Sequence, residues 1–117
     1  MRISEKKINP SLKKEIERVL SQAVADIRNL EEANQFLSDF FTSSESEAFA
    51  RRLAIGYWLK KGRSYNNIKE NLKVSSATIA TVQEMLEKPG FQMILKKVEA
   101  EEWANQWAEK IKKFVKK

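Results

Sequence analysis

The sequence predicts an all-α fold of about six helices with a helix-turn-helix in its second half. Three observations carry that expectation. Apolar residues recur at helical spacing along the chain, and no segment alternates apolar and polar as a half-buried strand would. The 3 glycines and 2 prolines all sit where a helix would start or stop.

Taken in order, Asn9-Pro10 reads as an N-cap followed by the first helical position, where the missing proline N–H costs nothing. Leu12, Ile16, Val19, Leu20, Ala23, Val24 and Ile27 then form one stripe, predicting a helix of about 18 residues that ends near Arg28. Asn29 and Glu32 have the spacing of a cap and its N3 carboxylate, and open a shorter helix through Phe40. Two overlapping capping boxes follow, Thr42 with Glu45 and Ser44 with Glu47. The third helix carries Phe49, Leu53, Ile55, Gly56, Tyr57, Trp58 and Leu59, with Lys60 and Lys61 in its last turn. Gly62 suits the position just past its end. Pro89-Gly90 breaks the chain before a final amphipathic segment. At about 100° per residue, Phe91, Ile94, Leu95 and Val98 share one face of that segment. Ala100, Trp103, Ala104, Trp107, Ala108, Ile111, Phe114 and Val115 lie on nearly the opposite face. Either the helix breaks near Glu99–Glu102, or its second half packs against something else.

Composition narrows the chemistry. A chain of 117 residues makes one compact domain, and its 42% apolar content gives a small core of the kind often completed by association. The absence of Cys and His removes thiolate nucleophiles, disulfides, the commonest general base and the commonest metal ligands. No catalytic and no metal-binding residue is therefore expected, and the chain reads as a non-enzyme. The net charge of +6 is unevenly spread. Residues 1–50 hold 7 basic and 9 acidic side chains, residues 51–90 hold 8 and 3, and residues 91–117 hold 7 and 4. A basic second half suits a polyanion, and the mildly acidic first half suits protein contacts. Met1–Pro10 has no apolar run of the secretory kind, and nothing approaches the roughly 20 apolar residues of a membrane span. A cytoplasmic location is expected, with no membrane partner.

The segment Ser64–Leu86 carries the functional reading. It predicts a short helix, a tight turn near Lys73–Ser75, and a second helix capped by Ser75, with Ile68, Leu72, Val74, Ile79 and Val82 sharing a wedge of core. The second helix then exposes Ser76, Ala77, Thr78, Ala80, Thr81 and Gln83, all small or uncharged, so it can enter a major groove without burying unpaired charge. Lys60, Lys61 and Arg63 before the motif, with Lys69 and Lys73 inside it, supply cations for phosphates. The expected DNA-binding set is Arg63, Lys69, Lys73, Ser75, Ser76, Ala77, Thr78, Ala80, Thr81 and Gln83. Lys73 stands where such turns usually place Gly, so it has to accept a left-handed or strained conformation.

From Phe36 to Leu86 the chain resembles the tryptophan repressor family. The resemblance lies in Leu37–Glu45, Arg51-Arg52-Leu53, Leu59–Gly62, Ile68-Lys69, Leu72 and, most specifically, Ala77-Thr78-Ile79. It implies a bacterial transcriptional regulator, acting as a repressor. The implied form is an intertwined homodimer of helical chains whose two reading heads face successive major grooves of double-stranded DNA. Ser76, Ala77, Thr78 and Ala80 match the family's groove-facing positions, and Lys69 a phosphate-contacting one. Residues 1–41 become dimerisation helices, 42–88 the DNA-binding region and 89–117 a C-terminal extension, all in one structural domain. Arg52 matches one arginine of the family's effector pocket. The second arginine position holds Thr81, an adjacent glycine position holds Val82, and a nearby serine position holds Met85. Arg52, Thr81 and Met85 thus mark a vestigial pocket. With a cation lost and the space crowded, no tryptophan co-repressor or other cofactor is expected.

Other readings attach to particular residues. Trp58, Trp103 and Trp107 are of the type that stacks on single-stranded bases, though their Ala and Ile neighbours favour packing. Ala100–Lys117 has the amphipathic make-up of a membrane-surface helix, though its alanines favour helix–helix contact. A helical protein–protein interaction module, or a non-specific nucleoid binder of duplex, is the alternative to a sequence-specific regulator.

Overall fold

The computed structural model describes residues 6–115, with side chains through Glu102, and there it contains six helices and no strand. They fall into two compact units, Met1–Ser43 and Ser44–Lys117.

The first unit holds α1 (Pro10–Ala25) and α2 (Leu30–Phe40). The Asn9 side chain caps α1, accepting from the backbone N–H of Ser11 at 2.8 Å and of Leu12 at 3.4 Å. On its polar face Arg18 bonds Glu15 at 2.7 Å, which holds the Glu15 carboxyl below its ordinary range. α1 stops at Ala25, short of the expected end near Arg28. The Asp26 N–H is shared between the Gln22 and Ala23 carbonyls, and Ile27 N–H donates to Val24 O at 3.2 Å, tightening the last turn. The chain must also leave the helix to place Asn29 in an extended conformation. There Asn29 Oδ1 accepts from Glu32 N–H at 2.9 Å, while Glu32 Oε1 accepts from Arg28 N–H at 3.0 Å. This is a capping box that reaches one residue further back than the usual one. Phe36 stacks on Phe40 with ring centroids 5.0 Å apart, and both meet Phe41 edge-on. Yet no residue of either helix is buried. Leu12, Ile16, Val19, Leu20 and Val24 stay about half exposed, and Phe40 is 63% exposed.

The second unit holds α3 (Ser43–Lys60), α4 (Tyr65–Leu72), α5 (Ser76–Met85) and α6 (Pro89–Val115). Because α3 begins at Ser43, Ser44 is already inside its first turn, and the box expected at Ser44 and Glu47 does not start a helix. The far end closes as anticipated. Gly62 takes φ +84°, its N–H donates to Leu59 O at 3.0 Å, and Arg63 N–H donates to Trp58 O at 3.1 Å. Those two bonds form a Schellman cap, and the positive φ is the reason for glycine there.

Ile55 from α3, Ile68 from α4, and Ile79 and Val82 from α5 form the buried centre, with Trp58, Leu59, Leu72, Val74 and Phe91 packed around it. Leu86 and Leu95 are buried as well. α6 starts on Pro89, so Gly90 lies in its first turn rather than before it. The helix then runs unbroken to Val115, because Glu99–Glu102 are helix-forming residues with no Gly or Pro among them. Its second stripe, from Trp103 onward, lies outside the described side chains.

Gly56 lies inside α3 and not at a helix end as expected of the glycines, because it admits α6 to this core: a Cβ there would stand 2.6 Å from Phe91 Cζ. Gly56→Ala should lower stability by about 1–3 kcal/mol through overpacking. Gly90→Ala, a helical position with nothing within 4 Å of the new Cβ, should raise it by about 0.5–1 kcal/mol. Urea midpoints of the two variants are expected to move in opposite directions.

Candidate nucleic-acid interface

The face that α5 turns to solvent follows from what it buries. Ile79 and Val82, three residues apart, are 0% and 2% exposed and set the buried side of α5; Ser76, Ala77, Thr78, Ala80, Thr81 and Gln83 are all exposed, as is Glu84 near the end of the helix. The start of this face is fixed by Ser75, whose Oγ accepts from Thr78 N–H at 3.1 Å and lies 3.0 Å from Thr78 Oγ1. Thr81 Oγ1 donates to Ala77 O at 3.0 Å, which folds its hydroxyl back onto the helix.

The turn before α5 is tight because Lys73 adopts the left-handed conformation (φ 54°, ψ 49°) expected of it. Among the described residues it is the only non-glycine residue with positive φ. One turn earlier Ser64 caps α4, accepting from Asn67 N–H at 3.1 Å. Arg63 is held by two contacts: its guanidinium lies 4.0 Å from the Trp58 ring centroid, and Nη1 donates to Asn67 Oδ1 at 3.3 Å.

Between α3 and the start of α5 is an open cleft of about 410 Å³. Arg51, Arg52 and Lys73 line it together with the hydroxyl-bearing Ser75, Thr78 and Thr81, over Ile55, Val82 and Met85. No carboxylate is among its lining residues. The cleft thus unites Lys73, Ser75, Thr78 and Thr81 of the expected DNA-binding set with Arg52 and Met85 of the expected pocket. Arg63, Lys69, Ser76, Ala77, Ala80 and Gln83 lie outside it and are all exposed. Arg51 is a cation that sequence reasoning quoted in a motif but did not place in a site. The spacing 48, 51, 52 and 55 on one face of α3 was the available signal.

Two other cations behave differently. Lys60 and Lys61 lie roughly 130° round α3 from the cleft face, at about 100° per residue. They pair with Glu99 at 3.6 Å and Glu102 at 3.8 Å on α6 instead of standing free for phosphate. Among the described residues no group of three or more Asp or Glu could hold a metal ion, and no helix is long and apolar enough to cross a membrane.

Residues 15–99 match the family model described as Trp repressor protein. Over 85 residues the chain is 29% identical to the uncharacterized protein YerC of Bacillus subtilis (strain 168), an alignment covering 71% of this chain and 82% of that relative.

The strain at Lys73 is measurable by itself. Lys73→Gly removes the Cβ that crowds the left-handed conformation, so thermal or urea unfolding should show a gain of about 1 kcal/mol.

Proposed function

The chain belongs to the Trp repressor protein family, and from that premise we propose that it is a transcriptional repressor that binds double-stranded DNA as a homodimer. The observation that carries this reading is the pairing of small or uncharged exposed residues over the first two turns of α5, Ser76 to Gln83, with a carboxylate-free cleft holding Arg51, Arg52 and Lys73 beside it; Glu84, the exposed acid of α5, falls in the last turn. Groove reading needs the first, since a charged side chain facing base edges without a partner is costly. Phosphate anchoring needs the second. In this division of labour Ser76, Ala77, Thr78, Ala80 and Gln83 face bases. Arg63, Lys69, Lys73 and the cleft arginines hold phosphates.

The homodimer is supported by the first unit. Amphipathic helices whose apolar stripes stay half exposed have not met the surface they are patterned for, and a second copy supplies the same stripes by symmetry. Residues 1–41 then serve dimerisation and 42–88 DNA reading, and the protein acts in the cytoplasm with no catalytic role.

Tryptophan is not its co-repressor. Thr81 offers no charge to a ligand carboxylate and has its hydroxyl proton committed to Ala77 O, while Val82 and Met85 occupy cleft space. The cations that remain serve DNA.

Thr78→Asp tests the reading helix. Aspartate at this third helical position suits the α5 dipole and the Ser75 cap, so the fold should survive. A carboxylate against base edges and phosphates should cost duplex affinity at least about 30-fold, or 2 kcal/mol. Unchanged affinity in a titration would place the reading face elsewhere. Sedimentation at micromolar concentration should return twice the chain mass, and a monomer would refute the dimer.

A further inference from the structure

Glu99 and Glu102 lie one turn apart on α6, and each faces a lysine at the end of α3. Lys60 Nζ is 3.6 Å from Glu99 Oε2, and Lys61 Nζ is 3.8 Å from Glu102 Oε2. All four side chains remain partly exposed, between 30 and 47%. Pairs this open contribute little to stability, so the acids can be removed without unfolding the chain. The Lys61 ammonium also sits 5.3 Å from the Tyr57 ring centroid, which further fixes its position. Lys61 is only three residues from Ser64, the cap of α4, so their Cα atoms are within about 11 Å, comparable with the Debye length at physiological salt. Two carboxylates therefore stand over the last turn of α3, from which the chain passes through Arg63 into α4.

We propose that Glu99 and Glu102 form an electrostatic brake on duplex binding. They neutralise Lys60 and Lys61 and set negative charge beside the phosphate-facing corner. The inference rests on the duplex-binding reading and adds the acid pair of α6 as a determinant of affinity. Glu102 lies beyond residues 15–99, the stretch that matches the family model.

The test uses the full-length protein and a random-sequence duplex, with binding measured across a salt series. The double variant Glu99→Gln/Glu102→Gln, with circular dichroism confirming unchanged helicity, should bind at least about tenfold more tightly near 0.1 M salt. Its log–log salt dependence should steepen by about 0.9 per released lysine, close to 2 per protomer. Glu101→Gln removes a neighbouring exposed charge that pairs with neither lysine, and should produce clearly less of either effect. Lys60→Gln/Lys61→Gln should change the wild type little, and should abolish the gain when added to the double glutamate variant. Several results would overturn the brake: an unchanged slope in the double glutamate variant, an equal gain from Glu101→Gln, or a loss of about 2 in slope from the lysine variant alone. Wild-type binding with an unaltered slope in the double glutamate variant would defeat the brake and leave the DNA reading intact. Absence of binding in every variant at low salt would defeat both.

Discussion

The wedge of Ile55, Ile68, Ile79 and Val82 is the constraint on which the rest of the second unit depends. Four side chains from three helices are buried at one point, and none of them is polar. With Ile79 and Val82 committed inward, the rotation of α5 about its own axis is settled. The exposed side is then small or uncharged from Ser76 to Gln83, with Glu84 following in the last turn. Ile55 sets the orientation of α3, and that orientation brings Arg51 and Arg52 to the cleft and turns Lys60 and Lys61 away from it. A cost of a few kcal/mol for truncating any one of these isoleucines would fall on the geometry of the cleft as much as on stability.

Local devices then supply the angles. Lys73 in the left-handed region and Ser75 at the N-cap turn the chain between α4 and α5 within three residues, and Gly62, with backward hydrogen bonds from its own N–H and that of Arg63, turns it between α3 and α4 within four. The Lys73 conformation is a strained choice for a residue with a side chain. Its ammonium-bearing side chain lines the cleft with two arginines, where glycine would contribute no charge. Glycine there would relieve the strain and leave the cleft with one cation fewer.

Much of this was legible in the sequence, and the reasons differ by feature. The core of the helix-turn-helix followed from the spacing of Ile68, Leu72, Val74, Ile79 and Val82, because helical periodicity and burial are tightly coupled. The caps at Asn9, Asn29 and Ser75 are local hydrogen bonds between residues two or three apart, so a few residues encode them. Boundaries set by competition were less visible. α1 ends at Ala25 because Asp26 and the needs of Asn29 outweigh the continuing apolar pattern, and at Thr42–Ser44 only one of two overlapping capping boxes can begin a helix. Long-range pairings were invisible. Nothing local links Lys60 to Glu99, and the spacing that puts Arg51 on the face of Ile55 does not say what that face meets, since both depend on how helices distant in sequence meet. The unbroken α6 belongs here too: the two stripes are real as a pattern, but helix-forming residues between them keep the backbone continuous.

The central claim is that α5 reads duplex DNA while cations around it hold phosphates. Anisotropy of a labelled random-sequence duplex, titrated with protein across a salt series, tests it most directly. The account predicts micromolar or tighter binding at low salt and a linear fall of log affinity with log salt, with a slope steeper than about −3 for the cations of the cleft and motif. An absence of binding at low salt, or an affinity that ignores salt, would contradict it.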